Sequence, residues 1–354
     1  MKNKTDQNES LVRLTSMLLS LILTMVVIIV LLAGSLFFAP QLTAWWNRPV
    51  EVKAPVIEKV SLIPDAWQAP DEAAIPSGAE GELVRYGKEL IAHTAEYLGP
   101  NGKVMSISNG MNCQNCHLDA GTRPFGNNYS AVAATYPKFR ARSGTKETIE
   151  KRVNDCFERS LNGHPLENES REMKAIVAYI NWLGKNVPKG QTPKGAGLVE
   201  LAYLDRPASP EKGLIIYEEK CLLCHGKGGE GVMNDAGTEF IYPPLWGEKS
   251  YNHGAGLYRL SRFAGYVKAN MPLGATYFEP QLTDAEAWDV AAYVNSLPRP
   301  KKDLSNDWPD ISKKPVDHPF GPFSDEFPEE QHKYGPFKPI QEKHKADTKR
   351  IAGM

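Results

Sequence analysis

Met111 to Gly121 reads MNCQNCHLDAG and contains Cys113-Gln114-Asn115-Cys116-His117. This is the C-x-x-C-H pattern of c-type haem attachment, in which two thiols form thioethers to the haem vinyl groups and the adjacent histidine reaches the iron. A second copy, Cys221-Leu222-Leu223-Cys224-His225, lies downstream. One match alone could be a zinc half-site. Two in a chain of five cysteines favour two covalently bound haem c groups, held through Cys113, Cys116, Cys221 and Cys224 with His117 and His225 as iron ligands. Cys156 is left over, and it needs an occupation. Covalent haem is attached outside the bacterial cytoplasm, where a free thiol points to metal ligation or chemistry.

The sequence around each motif follows the same plan. In the first half Leu83, Tyr86, Leu90 and Ile91 mark a helix leading to the first motif, a second helix is predicted from Thr145 to Leu161, and a third from an N-cap at Ser170 to Leu183. In the second half Ser209-Pro210 caps a helix leading to Cys221, and Thr283-Asp284-Ala285-Glu286 is a capping box for the last. The two closing helices carry AYINWL from Ala178 and AYVNSL from Ala292, and their tyrosines, 179 and 293, are offset nearly as the motif histidines, 117 and 225. An internal duplication explains both offsets. The expected fold is all-α, with two tandem cytochrome c-type domains, an N-terminal transmembrane helix and an irregular C-terminal tail. The expected segments are an anchor at 1–46, a spacer at 47–77, a first domain at 78–187, a linker at 188–204, a second domain at 205–298 and a tail at 299–354.

Leu14 to Phe38 is apolar and uncharged, and 25 helical residues reach about 37 Å, enough to span a bilayer core. Lys2, Lys4 and Arg13 before it put the N-terminus in the cytoplasm and the remainder in the periplasm, with Trp45-Trp46 at the outer interface. An uncleaved anchor is expected because the apolar run exceeds that of a signal peptide and lacks a clear cleavage site; the alternative is a cleaved signal and a soluble periplasmic protein. The formal net charge of -1 argues against nucleic acid as a partner.

Each iron still needs a distal ligand. Met271-Pro272 follows His225 by 46 residues and is the candidate in the second domain, with Met233 as a further one. In the first domain His164-Pro165 occupies the corresponding place, 47 residues after His117, while Cys156 lies 39 residues after it on a helix. Spacing leaves these two open, and a small buried hydrophobe is a third reading for Cys156. Arg152 and Ser160 stand four residues either side of Cys156 and share its helical face, whereas Glu158 and Arg159 read as solvated surface.

From Trp67 to Lys338 the chain resembles the dihaem thiosulfate dehydrogenases, on strings that include MNCQNCHLDAGT, RVNDCFERSLNG, SREMKAIVAYI, PPLWG, VKANMPLG and HPFGPF. The resemblance implies an oxidoreductase that joins two thiosulfate dianions into tetrathionate and passes electrons through two haems to an external acceptor such as a c-type cytochrome. It also implies that Cys156 ligates the active-site haem, that Arg142 joins Arg152 at the substrate, and that Met271 ligates the second haem. Some family members have lysine beside that methionine, where this chain has Asn270. Other functions consistent with the residues are tetrathionate reduction at the same site and electron carriage without catalysis; a dihaem peroxidase lacks an evident acid-base constellation.

Overall fold

The computed structural model describes residues 2–46 and 66–352. The spacer expected over 47–77 falls mostly outside the described residues, as do the side chains of Lys2, Lys4, Trp45 and Trp46 on which the expected orientation rests. Helix α1, Lys2–Trp46, forms a unit of its own, and its Arg13–Ser35 portion is long and apolar enough to cross a membrane.

Everything from residue 66 onward belongs to a second unit, predominantly helical and built around two cores. The first core rests on the crossing of α2, Gly78–Ala92, with a helix over Arg171–Leu183. Val84, Leu90 and Ile91 face Met173, Ile176, Ile180 and Leu183, at the three- and four-residue spacing that puts apolar groups on one stripe. Between these two lies α3, Ile149–Arg159, so the Arg171–Leu183 helix is α4. In the second core α5, Pro210–Lys220, crosses α7, Asp284–Ser296, with α6, Leu260–Asn270, packed on α7. The expected caps are present: Ser170, Ser209 and Thr283 each accept a backbone N–H from the third residue after them, and Glu286 closes the box on Thr283.

The duplication is visible in how the helices touch. A Cβ on Gly87 would lie 1.9 Å from the Ala175 carbonyl oxygen and 2.9 Å from Tyr179 Cβ; on Gly213 it would lie 2.0 Å from the Asp289 oxygen and 2.7 Å from Tyr293 Cβ. Each crossing therefore sets a glycine against the helix that carries the repeated tyrosine. Backbones this close admit no side chain at the contact.

Two small hairpins complete the domains. Lys138–Arg140 (β1) pairs antiparallel with Thr145–Glu147 (β2), and Val232–Met233 (β3) with Phe240–Tyr242 (β4). The first hairpin shortens the helix expected from Thr145: residues 145–147 pair with β1, and the Thr148 side chain accepts from Lys151 N to start α3 four residues later. The second hairpin reaches across, placing Phe240 and Met233 against the first core. Tyr266 donates to the Asn115 carbonyl at 3.0 Å and Asn270 to that of Phe125 at 3.0 Å, so α6 is also bonded to the segments flanking His117.

The tail runs without helix or strand from 299 to 328, apart from a single helical turn at Ile311–Lys313, and then forms α8, Glu329–Tyr334, and α9, Phe337–Ala352. Phe337 and Ile340 are buried in the second core. Asp317, fully buried, accepts from Arg259 and from the Ser261 hydroxyl and amide, which binds the tail to the start of α6.

Candidate active site

Helix α3 presents two faces. Phe157 is 1% exposed in the first core, while Arg152, Cys156 and Arg159, spaced four and three residues apart, line a cavity of about 430 Å³. Ser160 follows at the end of the helix, its amide donating to the Cys156 carbonyl at 2.8 Å, and it lines the same space. Across the cavity are Cys113, Cys116 and His117, and Arg142 approaches from the turn between β1 and β2. Of the first-domain residues singled out in the sequence, Cys113, Cys116, His117, Arg142, Arg152, Cys156 and Ser160 are thus brought together, and His164 is not. His164 is exposed and lies outside the cavity lining.

The donor set fits a covalent haem. His117 donates from Nδ1 to the Asn127 carbonyl at 2.5 Å and stacks on Tyr129 with ring centroids 4.5 Å apart. A carbonyl only accepts, so Nδ1 carries the proton and Nε2 keeps a free lone pair. Burial lowers this imidazole to about 4, which leaves it neutral and able to ligate metal. The same burial pushes the Cys113 and Cys116 thiols up to about 12, and they form no disulfide.

The second motif has the same arrangement. His225 is 7% exposed, donates from Nδ1 to the Pro243 carbonyl at 2.9 Å, and is lowered by burial. Burial lifts the Cys221 thiol to about 11. Met271 ends α6 and packs on the second core, whereas Met233 packs on the first. Asn270 is 3% exposed and its amide nitrogen donates to Phe125 O and Tyr266 O.

The cavity is cationic. Electrostatic interaction with the Cys156 sulfur raises Arg152 well above an ordinary arginine despite burial. Burial, and then the charge of Arg159, lowers Arg142 to about 10, which leaves it protonated at neutral pH. Arg159 corrects an expectation: it is 9% exposed, not solvated, and it makes a bidentate pair with Asp307 at 2.8 and 2.9 Å. Its signal was present, since 152, 156 and 159 fall on one helical face. Arg259, Arg262 and Trp308 also line the cavity. They come from the second domain and the tail, and no local pattern connects them to the first motif.

Residues 103–188 match the SoxA/TsdA cytochrome c domain family, and residues 210–298 match the cytochrome c family. The thiosulfate dehydrogenase of Psychrobacter arcticus is 40% identical over 241 residues, which cover 68% of this chain and 71% of that protein. The chain belongs to the thiosulfate dehydrogenase family. The family's member from Allochromatium vinosum is 38% identical over 266 residues, covering 74% of this chain and 94% of its own. The as-isolated structure of thiosulfate dehydrogenase (TsdBA) from Marichromatium purpuratum superposes with a TM-score of 0.60 at 35% identity, over 66% of this chain and 50% of that one. With two cytochrome c domains and a C-x-x-C-H motif in each, this member of the family carries two covalently bound c-type haems. Covalent attachment of both places these domains on the periplasmic side.

Proposed function

We propose that the chain oxidises thiosulfate to tetrathionate in the cavity between His117 and α3, where Cys156 would help His117 hold the first haem and also serves as the sulfur nucleophile. One observation supports this most: Cys156, Arg152, Arg142 and Ser160 line the same cavity as Cys113, Cys116 and His117. When bound, the two haems supply a pair of one-electron sites, which together match a two-electron oxidation.

The protein's own groups do the rest. Two dianions repel each other, and a cavity walled by guanidinium groups offsets that repulsion with planar, multidentate donors. Arg152, one turn before Cys156, holds a sulfonate group so that the sulfane sulfur faces Sγ. Arg142 opposes it from the β1–β2 turn, and the Ser160 hydroxyl adds a donor at the end of α3. In the first half-reaction a bond forms between Cys156 Sγ and the sulfane sulfur as two electrons leave, giving a cysteinyl thiosulfonate. In the second, the sulfane sulfur of another thiosulfate attacks the bound one, the bond to Sγ breaks, and tetrathionate departs with the Cys156 thiolate restored. No proton is taken up or released. The same steps run backwards reduce tetrathionate, so the direction depends on the potentials of the haems and the acceptor.

Met271 and His225 would hold the second haem, which would supply a one-electron site for exchange with an external c-type cytochrome. Arg13–Ser35 is assigned as an uncleaved anchor in the cytoplasmic membrane. The test is steady-state turnover of the purified holoprotein with thiosulfate and an oxidised cytochrome, with tetrathionate measured as product. Two thiosulfates consumed per tetrathionate and per two electrons supports the reading; electron transfer without tetrathionate overturns it.

A further inference from the structure

The tail reaches the cavity, where Trp308 is part of the lining. Trp308 N donates to the Arg142 carbonyl at 2.7 Å, and the Arg142 guanidinium lies 5.6 Å over the Trp308 ring. One residue earlier, Asp307 holds Arg159 in the bidentate pair and stands 3.9 Å from Arg142 Nε. Pro309 fills the space beside Gly144, at the far side of the same turn, so that a Cβ there would lie 2.6 Å from its ring. Arg142 Nη1 in turn donates to the Gly254 carbonyl at 2.9 Å. Two guanidinium groups and the turn that carries one of them are therefore held by three consecutive tail residues.

Trp308 adopts φ 61°, in the left-handed region that a bulky residue rarely occupies. A backbone outlier of this kind persists only where surrounding contacts enforce it. Here those contacts are the Asp307 pair with Arg159, one residue before it, and its own N–H bond to the Arg142 carbonyl.

We propose that residues 307–309 form a strap that positions Arg142 for the substrate, with Asp307 as counter-ion to the Arg142 and Arg159 pair and Trp308 as the surface against which Arg142 is aimed. Asp307 and Trp308 are positioning residues: they act through Arg142 rather than on sulfur. This rests on the proposed role of Arg142 and adds a way to test it. Charge counting and positioning give opposite signs. Removing a carboxylate makes the wall more positive, and Coulomb attraction alone would then tighten dianion binding. Loss of the strap instead lets Arg142 and its turn drift, which weakens binding because misplaced groups lose most of their effect.

The experiment compares Asp307→Asn, Trp308→Ala and Trp308→Phe in the full-length holoprotein. It measures KM and kcat for thiosulfate, and hydrogen exchange in the peptide spanning 138–148. Asp307→Asn is expected to raise KM by roughly tenfold or more, with a smaller change in kcat and faster exchange in that peptide. Trp308→Ala should move both readouts in the same direction, and Trp308→Phe, which restores a ring, should recover most of the loss. If Asp307→Asn fails to fold, the two Trp308 variants carry the test. A KM that stays the same or falls in the variants, with exchange unchanged, overturns the strap. Wild-type KM in Arg142→Ala would instead remove Arg142 from the substrate site and refute the assignment beneath it.

Discussion

Replacing Gly87 by alanine sets two effects of opposite sign against each other. In a helix interior alanine is favoured over glycine by about 1 kcal/mol, so propensity alone makes Gly87→Ala stabilising. The added methyl, however, would start 1.9 Å from the Ala175 carbonyl oxygen and 2.9 Å from Tyr179 Cβ, against resting contacts of about 3.5 Å. The nearest atom is backbone and cannot rotate away, so α2 and α4 must separate by roughly 1.5 Å along their crossing. Overpacking of a well-filled core costs about 1–3 kcal/mol, and the upper half of that range applies when backbone must move. The net expectation is a loss of about 1–2 kcal/mol, or roughly 2–4 °C in the melting temperature of a unit this size. Thermal unfolding of the holoprotein, followed by circular dichroism, measures it. Gly213→Ala should behave alike, because its Cβ would meet Asp289 O at 2.0 Å. A melting temperature raised by either substitution would refute the claim that glycine sets the helix crossing.

The Asp325 side chain is 1% exposed and accepts from His332 at 3.0 Å and His344 at 2.7 Å, tying α8 to α9. Burial alone would raise this carboxyl, but the bonds from His344 and His332 outweigh burial and hold it below the ordinary carboxylate value. A carboxyl depressed in the folded state stabilises above its unfolded value, near pH 4, and that contribution fades as pH falls through the folded value. Asp325→Asn should therefore cost about 3 kcal/mol at pH 7, with the deficit against wild type shrinking in acid below about pH 4, as urea unfolding at several pH values would show. An equal deficit at all pH values would contradict the assignment. For Arg152→Gln, loss of a charge-assisted contact to the dianion should lower kcat/KM for thiosulfate by roughly ten- to a hundredfold with both haems still attached, measured by steady-state kinetics. Wild-type kinetics in this variant would remove Arg152 from the site.

Much of this was legible because it is local. The two C-x-x-C-H motifs, the caps at Ser170, Ser209 and Thr283, and the repeated AY strings each lie within a few residues, and local rules govern them. The face shared by Arg152 and Cys156 follows from helical periodicity, which also included Arg159; its burial depended on Asp307, 148 residues later, and could not be read from charge. The start of α3 was misplaced because Thr145–Glu147 has a hairpin partner in Lys138–Arg140, a pairing that competes with helix. Least legible was the tail, whose irregular strap and closing helices are held by Arg159, Arg259 and the second core rather than by patterns of their own.

The proposed chemistry depends on the Cys156 sulfur acting as both iron ligand and nucleophile. Methionine at this position retains a sulfur able to bind iron but cannot form a thiosulfonate. The decisive measurement is therefore thiosulfate turnover by Cys156→Met holoprotein in which both haems are attached and the first is six-coordinate. The expected result is loss of tetrathionate formation with a raised potential at the first haem. Turnover at the wild-type rate in that variant would contradict the role of Cys156 as the residue that handles sulfur.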